Sequence, residues 1–331
     1  MWGPCSLRQT RAEGHRADLP AGRHLGAILE EEIPVDPPVA AAAGEEAAVV
    51  AAVSDRFGIG WRPDLAAGIL AHLDRIDVVE IIADDYFDAD APKLRSLRAL
   101  GAQVPLTLHG IGLGLASTVA VDPKRLGQMA RLHESIRPES WSEHFAFVRG
   151  GGVEIGHLAS PPRNRTTIEA TTENLARATA SVGTPPIMEN IATLIDPPGS
   201  DMDEATWLSG LLQDSTGDLL LDLHNVHANS INFQFDPYEF LNRLPLHRIG
   251  AIHLAGGRWI PAGDLGRRLL DDHLHDVPDP VYDLLAHVAN RTTNPLTVIL
   301  ERDGNYPPML DLIAQLDRAR AAVERGRQVV V

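Results

Sequence analysis

The 331-residue chain has a single cysteine, Cys5, in an irregular N-terminal stretch. One thiol supports neither a disulfide within the chain nor a thiolate metal cage, so any bound metal must be held by His, Asp, Glu or Asn. Long apolar runs are also missing. The longest, Ala47 to Val53, is far short of the ~20 residues a membrane-spanning helix needs. Arg8, Arg11, Glu13 and Arg16 have no apolar segment behind them, unlike a secretory signal. The expectation is a cytoplasmic chain with no membrane partner. Basic charge is scarce as well: 29 Lys and Arg stand against 45 Asp and Glu, a formal net charge of −16. A surface that acidic repels a phosphate backbone, and no basic patch gathers to offset it, so no nucleic-acid partner is expected. Some of the negative charge is expected to sit inward, opposite bound cations. A dinucleotide-type glycine loop is lacking too, since Gly110-Ile-Gly-Leu-Gly114 has the wrong spacing and follows a strand ending in His.

At 44% hydrophobic and 22% charged residues, the chain otherwise has an average soluble composition and can bury a sizeable core. Residues 1–54 mix Gly, Pro, Ala and scattered charges without sustained periodicity and read as a mostly disordered N-terminal extension. Residues 55–331 are regular. Strand patterns at Phe57–Arg62, Val78–Ala83, Pro105–Gly110, Trp141–Phe147, Ile187–Ile191, Leu219–Asn225, Ile249–Ala255 and Leu296–Arg302 alternate with amphipathic helix patterns. Several of the helices open with Pro near the first turn, where a missing N–H costs nothing. Near-continuous apolar strands alternating with helices over this length predict an α/β fold, a single (β/α)8 TIM barrel.

The polar residues fall at the strand ends. The third strand closes on His109, the fourth carries Glu143-His144, the fifth ends Glu189-Asn190, and the sixth ends on Asp222 with Asn225 three residues later. The seventh places His253 at its end, the eighth ends on Glu301, and the connection between them holds Asp271-x-His273. Taken singly, each residue has an ordinary explanation: a hydrogen-bonded histidine, a helix cap at Asp222, a surface pair at Glu301-Arg302. Their joint occurrence at one end of six successive strands is what points to a metal site, because barrels build their active sites at that end. Imidazoles among carboxylates suit zinc, iron or manganese better than magnesium or calcium. Of the remaining histidines, only His227 and His275 read as positioned for a supporting role.

The order His109, His144, Glu189, Asp222, His253, Asp271-x-His273, Glu301 resembles the metal-binding pattern of xylose-isomerase-like barrels. Closer still, Gly58-Ile-Gly-Trp-Arg62, His109-Gly-Ile-Gly-Leu113, Ser142-Glu-His144, Glu189-Asn190, Leu221-Asp-Leu-His-Asn225, His253-Leu-Ala-Gly256 and Glu301-Arg-Asp303 resemble the multinuclear non-haem iron-dependent oxidative enzymes, among them the methanobactin-biosynthesis oxidase. The likeness spans about Phe57 to Met309. It implies two or three iron ions with a mixed-valent Fe2+/Fe3+ pair, held by His109, His144, Glu189, Asp222, Asn225, His253, Asp271, His273 and Glu301. It also implies O2-dependent modification of a residue, often Cys, in a ribosomally made precursor peptide, with a separate leader-peptide-binding partner protein. Glu143, Asn190 and Asp303 are candidates to orient ligands or substrate. Two stretches depart from the family pattern: Ala83-Asp-Asp-Tyr86 stands where Glu-Asn-Tyr is usual, and Gly257 where His often follows His-Leu-Ala-Gly. A Zn2+- or Mn2+-dependent hydrolase or isomerase on the same ligands is the rival reading, and a catalytically inert metal-binding scaffold is a third.

Overall fold

The computed structural model describes residues 54–328, so the segment 1–54 read as an extension lies outside the described residues except for Ser54. Within them the strands are β1 (Arg56–Gly60), β2 (Val78–Ile82), β3 (Leu106–His109), β4 (Ser140–His144), β5 (Phe147–Gly150), β6 (Val153–Ala159), β7 (Ile187–Glu189), β8 (Leu219–Asp222), β9 (Ile249–Leu254), β10 (Gly257–Pro261), β11 (Arg267–Asp271) and β12 (Thr297–Leu300). Eight of these, in the order β1-β2-β3-β4-β7-β8-β9-β12, pair in parallel and close on themselves. This is the expected TIM barrel. The helices are α1 (Ala66–Ala71), α2 (Ala91–Gly101), α3 (Pro123–Ile136), α4 (Arg165–Val182), α5 (Glu204–Asp214), α6 (Leu223–Phe233), α7 (Pro237–Asn242), α8 (Asp279–Arg291) and α9 (Met309–Gln328).

Local chemistry explains where helices start. Asp90, Asp122, Asn164, Asp203, Asp222 and Asp236 each accept a hydrogen bond from a backbone N–H of the first turn, satisfying donors that the helix itself leaves open. The longer helices then bury an apolar stripe. In α8 that stripe is Val281, Leu284, Leu285 and Val288, the i, i+3, i+4, i+7 spacing of one helical face. Burying each such side chain contributes roughly 1.5–3 kcal/mol. Helices α8 and α9 approach closely because Gly326 has no Cβ, which would otherwise collide with the Ala286 carbonyl. No described helix is long and apolar enough to cross a membrane.

Three sequence-based boundaries need correction. The run Trp141–Phe147 is not one strand: β4 stops at His144, and Phe147 opens a separate antiparallel hairpin, β5–β6, around Gly151 and Gly152 in left-handed conformations. The run Leu219–Asn225 ends as a strand at Asp222, where the side chain caps α6. The connection after β9 holds a second hairpin, β10–β11, and Asp271 is the last residue of β11 rather than part of a loop.

One connection near the strand ends is tied down with unusual thoroughness. After β3, the backbone amide of Ile111 donates to Asp84 Oδ2 at 2.9 Å and that of Leu113 to Glu143 Oε1 at 2.6 Å. The carbonyls of Gly112 and Leu113 accept from Arg149 on β5 at 2.5 and 3.2 Å. A side chain at position 112 would run into Asp84, so the glycine is required by the carboxylate beneath it. Burial pushes Asp84 up to about 6, outweighing the Ile111 amide that favours the charged form. The folded chain therefore holds this proton more tightly than the unfolded chain, and the group costs stability above about pH 6 but not near pH 4. Asp84→Asn keeps an acceptor for Ile111 and removes the charge. The variant should be more stable than the parent by ~1–3 kcal/mol at pH 8, an advantage that shrinks towards pH 4–5 in urea unfolding. A variant less stable at pH 8 would mean that the ionised carboxylate is held by a cation.

Candidate metal centre

Side chains alternate along a strand with period two, so the residues two positions apart on each barrel strand share the interior. Register then sets them side by side. His144 lies opposite Glu189, Asp222 opposite His253, and His109 opposite Ser142. Six of the sequence-predicted residues meet in this way: His109, His144, Glu189, Asp222, His253 and Glu301, all buried. His144 Nε2 is 3.2 Å and His109 Nε2 3.4 Å from Glu189 Oε2, while His253 Nδ1 is 3.0 Å from Glu301 Oε2 and 3.7 Å from Glu189 Oε2. The rings of His109 and His144 stand 4.6 Å apart, edge to face.

The donor atoms fall into overlapping groups close enough to share a cation: His109, His144 and Glu189; Glu189, Asp222, His253 and Glu301; and Glu80, His109 and His253. The buried atoms Glu189 Oε2, Asp222 Oδ2, Asn225 Oδ1, His253 Nδ1 and His273 Nδ1 have no hydrogen-bond partner. Leaving a buried polar atom unpaired costs roughly 1–3 kcal/mol each, and three of these, on Glu189, Asp222 and His253, belong to residues of one cation-sized group. A donor set of imidazole, carboxylate and amide oxygen fits zinc, iron or manganese.

The remaining predicted residues surround this set. His273, held at a left-handed φ of 54°, places Nδ1 3.6 Å from Glu301 and Nε2 2.9 Å from Asp271 Oδ2. Asn225 joins because α6 begins immediately after β8, so that Asp222 Oδ1 accepts its backbone N–H at 2.5 Å and Asp222 Oδ2 stays free. Asn190 donates to the Asp222 carbonyl at 3.0 Å and accepts from its amide at 2.9 Å. Glu143 accepts from the backbone of His144 at 2.6 Å as well as from Leu113. Asp303 bridges Arg62 and His273, the latter at 3.3 Å.

Electrostatics follow from burial and neighbours. Burial alone would lower His144, but Glu189 and Glu143 raise it to about 9. His253 is likewise depressed by burial yet held well above the ordinary imidazole value by Glu301, Glu80 and Glu189. His109 goes the other way, pushed far down by burial and by the neighbouring His144 and His253. Asp222 is pushed well up by burial and by Asp271, Glu189 and Glu301. Burial would also raise Glu301, but His253 and His273 pull it far below the carboxylate range. Proton and cation are therefore alternatives at these atoms, since a ligating imidazole must be neutral and a ligating carboxylate ionised.

Three contributors were not found by looking at strand ends. Glu80, in the middle of β2, puts Oε2 3.1 Å from His253 Nε2; a lone charge inside Val-Val-Glu-Ile-Ile is the signal that could have shown it. Ser142 Oγ, two residues before His144, is 2.7 Å from His109 Nδ1. His224, fully buried, places Nδ1 2.8 Å from Asp271 Oδ1. It takes the supporting place expected for His227 and His275, neither of which makes such a contact: His227 stands beyond His224 with ring centres 6.3 Å apart, and the exposed His275 pairs with Asp272 at 2.9 Å.

The chain resembles known proteins in sequence and in fold. The chain is 38% identical over 277 residues to a UPF0276 protein of Streptomyces avermitilis, covering 81% of this chain and 55% of that one, so it spans about half the length of that relative. A UPF0276 protein of Bordetella bronchiseptica is 31% identical over 271 residues, 82% of this chain and 93% of that one. Among solved structures, a D-tagatose 3-epimerase-like protein superposes with a TM-score of 0.55 at 14% identity, over 83% of this chain and all (100%) of the other. Endonuclease IV from Thermus thermophilus superposes with a TM-score of 0.52 at 18% identity, over 81% of this chain and 99% of the other. A xylose isomerase domain containing protein from Salmonella typhimurium gives 0.54 at 16% identity, over 81% and 97%. These three share the fold. Over residues 56–324 the sequence matches the pattern of the RiPP precursor modification enzymes MbnB/TglH/ChrH, and the chain belongs to that family.

Proposed function

We propose that the chain is an iron-dependent oxidase or oxygenase that uses O2 to modify a residue, often Cys, of a ribosomally made precursor peptide presented by a leader-binding partner protein. The observation that carries the reading is the overlap of two cation-sized donor groups, His109-His144-Glu189 and Glu189-Asp222-His253-Glu301, through Glu189 in a chain of the precursor-modifying family. Shared donors suit adjacent ions rather than a single one. The proposed ligands are His109, His144, Glu189, Asp222, Asn225, His253, Asp271, His273 and Glu301, supplying nitrogen and oxygen only. Two or three iron ions, a pair of them mixed-valent, would supply when bound the one-electron redox chemistry that protein side chains lack.

The chain's own contribution is placement. Ser142 holds His109 through Nδ1 and the Gly110 carbonyl holds His144 through Nδ1 at 3.2 Å, which leaves both Nε2 atoms facing Glu189. Such outer hydrogen bonds fix the ring orientation and tautomer of a ligating histidine. Glu189, with two oxygens and a place in two donor groups, is suited to bridge two cations. Asn190 and Glu143 clamp the backbone at Asp222 and His144. The ring of buried ligands excludes bulk water from the chemistry. Arg62, paired with Asp303 beside Glu301, sets a guanidinium next to the proposed ligands.

His109→Ala, Glu189→Ala and Asp222→Ala should each lower bound metal by at least one equivalent per chain and reduce turnover at least ~100-fold, with an unchanged far-ultraviolet circular dichroism spectrum. Full metal content in all three would remove the ligand assignment. Protein purified without oxygen should contain two or three irons per chain, with Mössbauer spectra showing ferrous and ferric components. Zinc or manganese without iron, even after iron-supplemented expression, would replace the oxidase reading with hydrolysis or isomerisation on the same barrel.

A further inference from the structure

Glu80 is 2% exposed and lies in register with Thr107 on β3, while Ile82 is the partner of His109. It thus sits one layer below the ring of strand-end ligands, on the side away from the mouth. Among the described residues its side chain hydrogen-bonds His253, whose Nε2 is 3.1 Å from Oε2. An imidazole that donates through Nε2 keeps its lone pair on Nδ1. That atom makes no hydrogen bond and looks towards Glu301 and Glu189.

Glu80, His109 and His253 are close enough to hold a cation by themselves. A cation there would take Nε2 of His253 and turn Nδ1 into an N–H, leaving Glu189, Asp222 and Glu301 without their nitrogen donor. It would also compete with Glu189 for Nε2 of His109, since Ser142 holds that ring through Nδ1 and Nε2 faces Glu189. A second observation explains how a carboxylate is tolerated here without a metal. Beneath it lies a cavity of about 30 Å3 lined by Glu80, Thr107, Ser140, Ser142 and Arg56. This is room for one or two waters with polar partners, and the buried Thr107 hydroxyl has no other partner.

We propose that Glu80 is a positioning residue: it fixes the ring and tautomer of His253 so that Nδ1 is presented to the Glu189, Asp222 and Glu301 carboxylates. The proposal rests on the ligand assignment above, in which Glu80 has no part. Outer partners of this kind change metal affinity by about 10–100-fold when removed.

The test uses the full chain, stripped of metal and titrated with Co(II) alone, followed by its visible absorption. Glu80→Gln keeps the shape and drops the charge; Glu80→Asp keeps the charge and withdraws it from His253. Both should bind as many Co(II) ions as the parent, at least about tenfold more weakly, with a displaced absorption band, and either variant suffices if the other does not fold. Parent-like affinity and spectrum would overturn the proposal. Loss of one whole equivalent would also overturn it, by making Glu80 a ligand. His253→Ala separates the two levels: if it keeps the parent's Co(II) count and spectrum, the ligand assignment itself fails.

Discussion

Like charges repel strongly where water cannot screen them, and this molecule gathers Glu80, Glu189, Asp222 and Glu301 into one buried region at the end of its barrel. Everything near them serves to make that tolerable. His144, His253 and His273 are interleaved among the carboxylates and held above their ordinary proton affinity by them, while Asp222 is driven upward by burial and by Asp271, Glu189 and Glu301. Burying charge without compensation is among the costliest things a protein can do. The site is therefore under pressure to recruit positive charge, as protons or as metal ions, and the excess of acidic residues in the chain is partly spent here.

The barrel meets this demand by separating its tasks in space. Stability comes from the outer layer, where helices bury stripes such as Val281, Leu284, Leu285 and Val288. The interior below the ligands lacks the wholly aliphatic filling usual for such folds: Thr107, Ser140 and Ser142 face it beside Ile187, Leu220 and Ile299. That choice forfeits some hydrophobic burial and provides hydrogen-bonding partners directly beneath the imidazoles. The connection after β3, held by Asp84, Glu143 and Arg149, extends the same rigidity outward to the rim.

Much of this was legible in the sequence because period-two burial and strand-end chemistry coincide. His109, Asp222 and His253 close runs of apolar residues, and position alone assigns them to one end of the barrel. Glu80 escaped notice because it lies in the middle of its strand, where a strand-end criterion does not look. Asn225 was legible only through family resemblance; read as a strand, Leu219–Asn225 would set it on the face opposite Asp222. The helix beginning at Leu223 changes the geometry, since residues three apart share a helical face. The same switch turns His224 towards Asp271. The two hairpins were missed because Val148 and Leu269 are the only buried residues of their strands, so they lack the apolar runs by which barrel strands are recognised.

One small group near the site has a wider meaning. The Asn190 side chain donates to the carbonyl and accepts from the amide of Asp222, the two bonds a neighbouring peptide unit would make in a sheet. A side chain is standing in for backbone. The barrel wall gains one further rung between β7 and β8 after the main chain of β7 has already turned away. Asp222 is thereby held as firmly as an interior residue, though its neighbour strand has ended. The segment that follows Asn190 is released from any duty to keep the wall closed. Insertions or replacements there could reshape the rim for a different substrate while the metal-facing carboxylate kept its position, so that variation and precision are assigned to opposite sides of a single amide.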